Sequence, residues 1–524
     1  MNQVPSTLSI ENIELNEKFL QAINLMENTW KNIFITGRAG TGKSTLLEYF
    51  KQKTKKKIAI LAPTGVAALN VGGQTIHSFF GFGPEVTLSS IENSKRLNKK
   101  IYKIIETIVI DEVSMVRADL LDCVDKFLRI NRKNKDQPFG GIQMIFIGDL
   151  YQLPPVVVGK EREMFKTHYA SPYFFDSKVL SQTQLEFIEL EKIYRQKDQN
   201  FIELLNAIRN RTITESQIDK INKRVDQTFE SPPNDFYITL TTTNDISHKI
   251  NEKELSKLSG KYFSYKGQIE GQFDKNYIPT EIDLKLKIGA QVMLLNNDPS
   301  RRWINGTIGK ITEVKKEGKE EIIIVELPKG EKVKVSRFSW TIYKLYYNTI
   351  TKALDSEIIG TFTQYPLKLA WSVTIHKGQG KTFEKVIVDI GKGTFSHGQM
   401  YVALSRCTSL NGIVLKTPIQ KNHIFMDWRI VNFLTKYQYK LAEKNSSLEN
   451  KLQKIKNAIK NKSKLYITYL KTTDTKTKRT ILPKKVGDVE YLGKIFKGIK
   501  AYCYLRQTDR VFRIDRILSI EEVE

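Results

Sequence analysis

The run Gly37-Arg38-Ala39-Gly40-Thr41-Gly42-Lys43-Ser44 decides the fold of the chain around it. It fits the phosphate-loop pattern G-x-x-x-x-G-K-[ST], in which glycines let backbone N–H groups close around phosphate oxygens. Ile33-Phe34-Ile35 predicts a strand before the loop, and Leu46-Leu47-Glu48-Tyr49-Phe50 predicts a helix after it. Because the motif requires this strand–loop–helix context, the sequence predicts a nucleoside triphosphate site.

The loop residues carry distinct chemistry. Lys43 is placed to reach the β- and γ-phosphates, and Ser44 to ligate Mg²⁺. The nucleotide-binding residues predicted from the loop itself are Gly37, Ala39, Gly40, Thr41, Gly42, Lys43 and Ser44.

Polar residues after two later apolar runs are predicted to complete this site. Asp111 and Glu112 follow the run 107–110, and Gln152 lies shortly after the run 144–147. Ligands bind at the carboxyl ends of parallel strands, so these side chains are expected to face the loop. Asp111 is predicted to hold Mg²⁺ through water, and Glu112 to orient the attacking water. Gln152 is predicted to sense the γ-phosphate, with a solvated turn as the alternative.

Buried strands alternate with helices, which predicts an α/β fold with parallel sheets. A first set of strands includes 58–62, 107–110 and 144–147, with a helix over 119–128. A second set is predicted to begin near Leu185, and its strands are 237–240, 290–295, 369–374 and 385–389. Period-2 alternation from about Lys310 to about Gly360 predicts a small β-barrel inserted in that second set.

The composition indicates a polyanionic partner. The 524 residues include 83 Lys and Arg against 57 Asp and Glu, a net charge of +26. This excess favours nucleic acid, with a membrane surface second and a lysine-rich proteome as a partial cause. The length suits roughly three to four domains.

Other features favour a cytoplasmic protein without a metal cluster. Cys123, Cys407 and Cys503 form no C-x-x-C pair, so neither a zinc nor an iron–sulfur site is expected. The amino terminus lacks a basic and then apolar signal segment. No apolar run approaches the ~18 residues of a membrane helix.

A series of ordered motifs resembles the PIF-type (petite integration frequency) DNA helicases of superfamily 1B. The resemblance covers roughly residues 15–425. Its motifs are Leu61-Ala62-Pro63-Thr64-Gly65-Val66-Ala67-Ala68, Gly73-Gln74-Thr75-Ile76-His77-Ser78-Phe79-Phe80, Asp111-Glu112-Val113-Ser114-Met115, Pro138-Phe139-Gly140-Gly141, Gly148-Asp149-Leu150-Tyr151-Gln152-Leu153-Pro154-Pro155, Tyr194-Arg195-Gln196, Asn305-Gly306-Thr307, Trp371-Ser372-Val373-Thr374-Ile375-His376-Lys377-Gly378-Gln379-Gly380 and Val402-Ala403-Leu404-Ser405-Arg406.

The resemblance implies ATP-driven, 5′-to-3′ translocation on single-stranded DNA and unwinding of tailed duplex. The expected mechanism is closure of a cleft between two tandem RecA-like parallel-sheet domains. Arg195 and Arg406 align with arginine fingers, both expected from the second domain. Tyr194 is expected to stack on adenine, Gln21 to read it, and Gly380 to join the nucleotide site. The DNA-binding residues implied are Thr64, His77, Phe79, Thr243, Asn244, Thr374, His376 and Lys377.

The domain prediction follows from the same resemblance. RecA-like domain 1A spans 1–180, with a wedge subdomain 1B at about 70–100. Domain 2A spans 181–428, with an SH3-like 2B insertion at about 310–360. A helical linker, 429–460, leads to a small β-barrel at 461–524 that resembles a WYL domain. The Trp-Tyr-Leu triplet that gives this domain its name is absent, and Lys497-Gly498-Ile499 occupies its place. Its arginines (506, 510, 513 and 516) indicate nucleic-acid binding, with a structural cap as the alternative.

Two competing functions stay open at this point. One is a DNA-stimulated ATPase that remodels protein–DNA complexes with little unwinding. The other is the motor subunit of a recombination nuclease, which would need a partner chain. The favoured prediction is a bacterial, nucleoid-associated helicase of DNA repair and recombination, monomeric when active and not bound to membranes.

Overall fold

The computed structural model describes residues 15–523 except 84, 94–98, 158, 160, 274–277, 319, 349, 352, 392 and 492–493. Two compact units are present, one formed by the chain up to 208 with 213–425, and the other by 209–212 with 426 onward. Within the described part, no helix is both long and apolar enough to span a membrane. The prediction that the amino terminus lacks a signal segment concerns residues 1–14, which lie outside the described residues.

The first half of the larger unit is built on a six-stranded, all-parallel sheet, the first sheet, with strand order β3-β2-β4-β5-β1-β6. Its elements are α1 (Glu17–Asn28), β1 (Asn32–Gly37), α2 (Lys43–Lys53), β2 (Ile58–Ala62), α3 (Gly65–Val71), β3 (Gln74–Thr75), α4 (Ile76–Phe80), α5 (Leu88–Asn93), α6 (Lys99–Ile104), β4 (Thr107–Ile110), α7 (Ala118–Arg132), β5 (Gln143–Ile147), α8 (Glu161–His168), α9 (Lys178–Ser181) and β6 (Leu185–Leu190).

Apolar burial on one face of the first sheet fixes the position of the phosphate loop. Phe19 and Met26 of α1, with Leu46 and Phe50 of α2, pack in one core with Ile33 and the other strand residues of that face. Each fully buried side chain of this size stabilises the fold by about 1.5–3 kcal/mol. The loop between β1 and α2 is therefore anchored at both ends.

The prediction that a second set of strands begins near Leu185 is wrong. Residues Leu185–Leu190 form β6, which pairs in parallel with β1 from Asn32 to Gly37 and so extends the first sheet. The apolar pattern of a strand does not identify the neighbour with which it pairs, and this is why the sequence misplaced it.

The second half of the larger unit holds a four-stranded parallel sheet, the second sheet, with strand order β18-β7-β19-β20. Its elements are α10 (Gln199–Arg209), α11 (Glu215–Asn222), β7 (Ile238–Thr241), α12 (Asn244–Lys257), β8 (Phe263–Lys266), β9 (Gln268–Gly271), β10 (Asp283–Leu286), β11 (Gln291–Leu294), β12 (Ile308–Glu317), β13 (Glu320–Glu326), β14 (Lys332–Val335), β15 (Phe338–Asn348), β16 (Ala353–Gln364), β17 (Leu367–Leu369), β18 (Ser372–Thr374), β19 (Val386–Asp389), α13 (Gln399–Ser405) and β20 (Ile413–Leu415).

Antiparallel strands from β8 to β17 interrupt the second sheet. They form sheets of two, five and three strands, so the insertion is longer than the predicted 310–360. The run 290–295 belongs here as β11, which pairs antiparallel with β12 and β17, and not to the second sheet as predicted. All four residues of β11 are buried, and a buried run looks alike in either kind of sheet.

The smaller unit combines two helices with a five-stranded antiparallel sheet of order β24-β23-β22-β21-β25. Its core is formed by apolar residues of the second helix and of the strands, among them Ile455, Ile467, Ile499 and Phe512. The elements are α14 (Trp428–Asn445), α15 (Leu448–Asn461), β21 (Lys464–Leu470), β22 (Lys476–Tyr491), β23 (Lys494–Cys503), β24 (Thr508–Arg513) and β25 (Ile517–Val523).

Candidate nucleotide and DNA sites

Two glycines shape the phosphate loop through left-handed backbone. Gly40 has a φ of +82° and Gly42 a φ of +87°. A Cβ atom on Gly40 would lie 2.6 Å from Cβ of Arg195, so any side chain there would clash. The loop thus needs glycine both for its conformation and for the close approach of the segment that follows β6.

Lys43 lies at the centre of the predicted site. Its ammonium donates to the main-chain oxygens of Gly37 and Arg38 at 2.7 and 3.0 Å. Burial lowers the pKa of Lys43, and three nearby carboxylates, those of Asp149, Glu112 and Asp111, oppose that shift. The structure therefore gathers one ammonium and several acids at the carboxyl edge of the first sheet, as the sequence predicted.

Asp111 and Glu112 are neighbouring carboxylates with little access to water. Burial, followed by repulsion from Glu112, raises the pKa of Asp111. Burial also raises the pKa of Glu112, whose φ of +50° costs about 1–3 kcal/mol for a residue other than glycine. The Ser44 hydroxyl and the Asp111 carboxylate are hard oxygen donors of the kind Mg²⁺ prefers. This donor set fits a magnesium ion.

An amide from the second half of the unit bridges two predicted catalytic residues of the first. Gln379 Nε2 donates to Glu112 Oε2 at 3.1 Å and to Gln152 Oε1 at 3.2 Å. Gln152 is buried, and its own amide donates to Asp149 at 3.3 Å. Gln379 had no predicted role, although it lies inside the motif 371–380 that supports the family resemblance. The contact brings residues of both halves to one point.

The two predicted arginine fingers do not both lie in the second half of the unit. Arg195 follows β6 of the first sheet and packs on Gly40, while its guanidinium donates to the Ser405 carbonyl at 3.3 Å. Arg406 follows α13 and is buried. Burial, followed by repulsion from Arg195, lowers the pKa of Arg406 to about 9, so it stays charged at neutral pH. Arg195 was predicted to lie in the second domain because the preceding strand, β6, was predicted to belong to the second set of strands.

Neutral oxygens hold the guanidinium of Arg406. It donates to the carbonyls of Val402 and Lys381 at 3.0 and 3.3 Å, and to the Ser405 hydroxyl at 2.9 Å. Tyr401, one turn earlier on α13, accepts a hydrogen bond from the Ala39 N–H of the phosphate loop at 2.9 Å. Sequence reasoning missed Tyr401, although it adjoins the motif that contains Arg406.

The structure places Tyr194, predicted to stack on adenine, beside the phosphate loop. The Tyr194 ring lies 3.8 Å from where a Gly42 Cβ would be, and Asn16 donates to its hydroxyl at 3.1 Å. Gln21 is exposed on α1 and accepts a bond from Lys18 at 3.3 Å. Asn16, the N-cap of α1, is thus the residue of this segment that contacts Tyr194. Gly380 lies exposed in the turn before β19.

Most of the predicted DNA-binding residues lie just past the carboxyl ends of parallel strands. Thr64 follows β2, Thr243 and Asn244 follow β7, and all three are exposed. Lys377, past β18, is exposed, and the Thr374 hydroxyl accepts its N–H at 3.3 Å. His77 and His376 are half-buried, and burial lowers the pKa of each, so both are neutral at pH 7.

Phe79 does not fit its predicted role as a stacking platform for bases. It is 7% exposed and packs edge-on against Phe80 and Tyr102 at 4.8 and 5.7 Å between ring centroids. The sequence expected one of the two phenylalanines to be core, and both are. Ile76, Phe79 and Phe80 stand at i, i+3 and i+4 of α4, so they share its buried face, whereas Ser78 is exposed.

Basic residues of the smaller unit fall into two classes. Lys471, Arg479, Arg506 and Arg510 lie close enough that the three arginines, after burial, lower the pKa of Lys471. Arg513 is instead paired with Asp515 at 2.6 Å. Of the four arginines singled out in the sequence, Arg506 and Arg510 therefore lie in the cluster with Lys471, whereas Arg513 forms an ion pair.

Comparison with known proteins matches three segments. The family models are PIF1-like helicase over residues 11–219, DNA helicase Pif1, 2B domain, over 272–314, and WYL domain over 450–522. The last begins within α15, before the predicted boundary at 461.

Similarity to individual proteins extends over more than four fifths of the chain. The chain is 30% identical over 446 residues to ATP-dependent DNA helicase Pif1 of Bdellovibrio bacteriovorus, covering 83% of this chain and 95% of that protein. A crystal structure of a Pif1 helicase double mutant from Bacteroides has 38% identity and a TM-score of 0.76, covering 82% and 98%. A Bacteroides Pif1 helicase in complex with ADP-AlF3 and ssDNA has 36% identity and a TM-score of 0.61 over the same shares.

Proposed function

The chain belongs to the PIF1-like helicase family and is an ATP-dependent DNA helicase, and we propose that it moves 5′ to 3′ on single-stranded DNA. Movement and unwinding follow from ATP-driven closure of the cleft between its two RecA-like domains. The observation that carries this proposal is the bridge from Gln379 to Glu112 and Gln152, because it lets one domain sense the catalytic groups of the other.

The residues of the cleft suit hydrolysis of the γ-phosphate. Lys43 neutralises phosphate charge, and Glu112 orients the attacking water. Mg²⁺, held by Ser44 and Asp111, would supply further neutralisation of the phosphates. Arg195 and Arg406 approach from opposite sides, and their planar guanidinium groups stabilise the charge that develops in the transition state.

Translocation uses the residues at the carboxyl ends of both sheets. Thr64 and His77 belong to the first domain, and Thr243, Asn244 and Lys377 to the second. With Thr374 and His376, these groups bind the DNA backbone and bases without sequence preference. Closure of the cleft moves one group of contacts toward the other, and hydrolysis releases it. The direction is assigned from the family branch.

The smaller unit is proposed to bind single-stranded nucleic acid through the cluster of Lys471, Arg479, Arg506 and Arg510. Several adjacent cations attract a phosphate backbone and make binding dependent on salt. We also propose that the chain acts as a monomer on single-stranded and tailed duplex DNA, near the bacterial nucleoid and in repair and recombination.

Lys43→Ala tests the proposed mechanism. Loss of the ammonium should reduce ATPase and unwinding to background while single-stranded DNA affinity stays within about threefold, because Lys43 lies in the nucleotide cleft and not among the DNA contacts. Lys31→Ala is the control, since Lys31 forms a surface pair with Glu186 and such pairs contribute little. Unwinding by the Lys43→Ala variant would overturn the mechanism.

A further inference from the structure

We propose that Lys381 is a positioning residue that couples single-stranded DNA binding to the Arg406 finger. The proposal rests on the helicase function above and assigns a role within it. Lys381 lies between β18 and β19, and only 9% of it is exposed. Its main chain and its side chain contact different parts of the motor.

The side chain connects toward the DNA-facing edge of the first domain. Lys381 Nζ donates to Asn305 Oδ1 at 2.7 Å, and Asn305 Nδ2 donates to Asn70 Oδ1 at 3.0 Å. Asn70 lies on α3, the short helix that Thr64 caps. Asn305 and Lys381 belong to the second half of the unit, so the Asn70–Asn305 bond crosses between the two domains.

The main chain of the same segment holds Arg406 at two points. Arg406 Nη1 donates to the Lys381 carbonyl at 3.3 Å. The Phe383 N–H donates to the Arg406 carbonyl at 2.9 Å. A shift of residues 381–383 therefore moves both the backbone and the guanidinium of the finger.

Packing fixes the stem of Lys381 against the Asn305 turn. Gly306 has a φ of +101°, and a Cβ atom there would lie 3.2 Å from Cγ of Lys381. Burial lowers the pKa of Lys381 to about 8. The ammonium is held by a neutral amide, which binds it less tightly than a carboxylate would. Such a contact can break and re-form as the cleft opens and closes.

Opening and closing of the cleft, as in the proposed function, would supply the two states that a coupling of this kind requires. DNA bound at the carboxyl edges of both domains favours the arrangement in which Asn70 meets Asn305. In that arrangement the Asn305 side chain fixes the ammonium of Lys381, and the Lys381 carbonyl fixes the guanidinium of Arg406 in its position for catalysis. Single-stranded DNA thereby raises the fraction of motors with the finger in place.

A double-mutant cycle tests the role of Lys381 in the full chain. ATPase is measured with and without saturating single-stranded DNA for Lys381→Met, Asn305→Ala, their combination and Lys381→Arg. Lys381→Met should lower the DNA-stimulated kcat about 5- to 20-fold, a typical coupling factor. Asn305→Ala should act in the same direction, and the double variant should be no worse than Lys381→Met, because both remove one link. Lys381→Arg should recover most of the stimulation.

The salt dependence of DNA binding separates coupling from a direct phosphate contact. The positioning role predicts that Lys381→Met leaves the slope of log affinity against log salt unchanged. A slope reduced by about 0.7, with kcat restored at saturating DNA, would overturn the proposal, since it marks a lost phosphate contact. Additive effects of the two substitutions, or normal stimulation in Lys381→Met, would overturn it too. No stimulation in the unmodified chain would instead count against the proposed function.

Discussion

The nucleotide cleft and the smaller unit both collect positive charge, but in opposite surroundings. Arg406 in the cleft is 1% exposed, whereas Arg506 and Arg510 in the smaller unit are exposed. A buried cation has lost its hydration, so the fold must hold it for an anion that arrives at a defined place. Exposed cations keep their water and contribute a field that acts on any polyanion. Under the proposed function, this difference in burial distinguishes the cation expected to act in catalysis from the cations expected to provide general affinity for nucleic acid.

The largest effect expected from this contrast is at Arg406. Arg406→Ala should lower the DNA-stimulated kcat about 10²- to 10³-fold with ATP binding retained, because it removes a group aimed at transition-state charge. Arg406→Lys should not restore activity, since an ammonium lacks the planar fork of a guanidinium. Steady-state ATPase assays give kcat and KM separately.

The control for Arg406 is an exposed cation of the same domain. Lys385 forms a surface pair with Asp235 at 2.9 Å, and Lys385→Ala should leave kcat within about twofold. Near-normal ATPase in Arg406→Ala would remove that arginine from the finger role and weaken the contrast between buried and exposed charge.

An intermediate effect is expected at Lys368 on β17. Burial, followed by repulsion from Lys381 and Lys377, lowers the pKa of Lys368 to about 7. The side chain is therefore charged below that pH and neutral above it, and a DNA phosphate favours the charged form. Single-stranded DNA affinity should fall roughly three- to tenfold as the pH rises from about 6 to about 8.5.

Lys368→Arg is the matched variant, because a guanidinium keeps its charge throughout this range. The DNA affinity of this variant should change less with pH than that of the unmodified chain. Both proteins contain His77 and His376, so titration of these histidines does not account for a difference between the two profiles. Equal profiles, measured by fluorescence anisotropy, would show that Lys368 does not contribute charge to the DNA site.

The smallest effect belongs to Arg506 and Arg510, the exposed members of the cluster in the smaller unit. The double substitution Arg506→Gln with Arg510→Gln should weaken single-stranded DNA binding a few-fold and reduce the salt slope by about 1.4, or about 0.7 for each phosphate contact. Arg513→Gln is the control, because Arg513 is already paired with Asp515. A slope identical to that of the control would favour a purely structural role for this unit.

Local motifs predicted that the phosphate loop follows one strand and that Asp111 and Glu112 follow another, because each motif and the strand before it are neighbours in sequence. The α/β fold class and the family resemblance, with its WYL domain, are confirmed. Apart from the corrections described above, the assigned domain limits and residue roles stay predictions.

The errors and omissions arise from contacts distant in sequence. Gln379 and Glu112 are separated by 267 positions, and the sequence around each residue does not indicate that the two form a hydrogen bond. The side from which Arg195 approaches depends on the partner of β6, and the burial of Phe79 depends on Tyr102 from another helix. Pairing and packing of this kind are decided by the whole fold and not by a local pattern.

Strand displacement on duplexes that differ only in the polarity of a single-stranded tail tests the central proposal most directly. With the full chain, ATP and magnesium, we predict unwinding of the duplex with a 5′ tail and none above background for the blunt duplex or the 3′ tail. Equal or preferred unwinding from the 3′ tail would contradict the assigned direction. ATP hydrolysis without displacement of either strand would contradict the proposed unwinding and favour a remodelling ATPase.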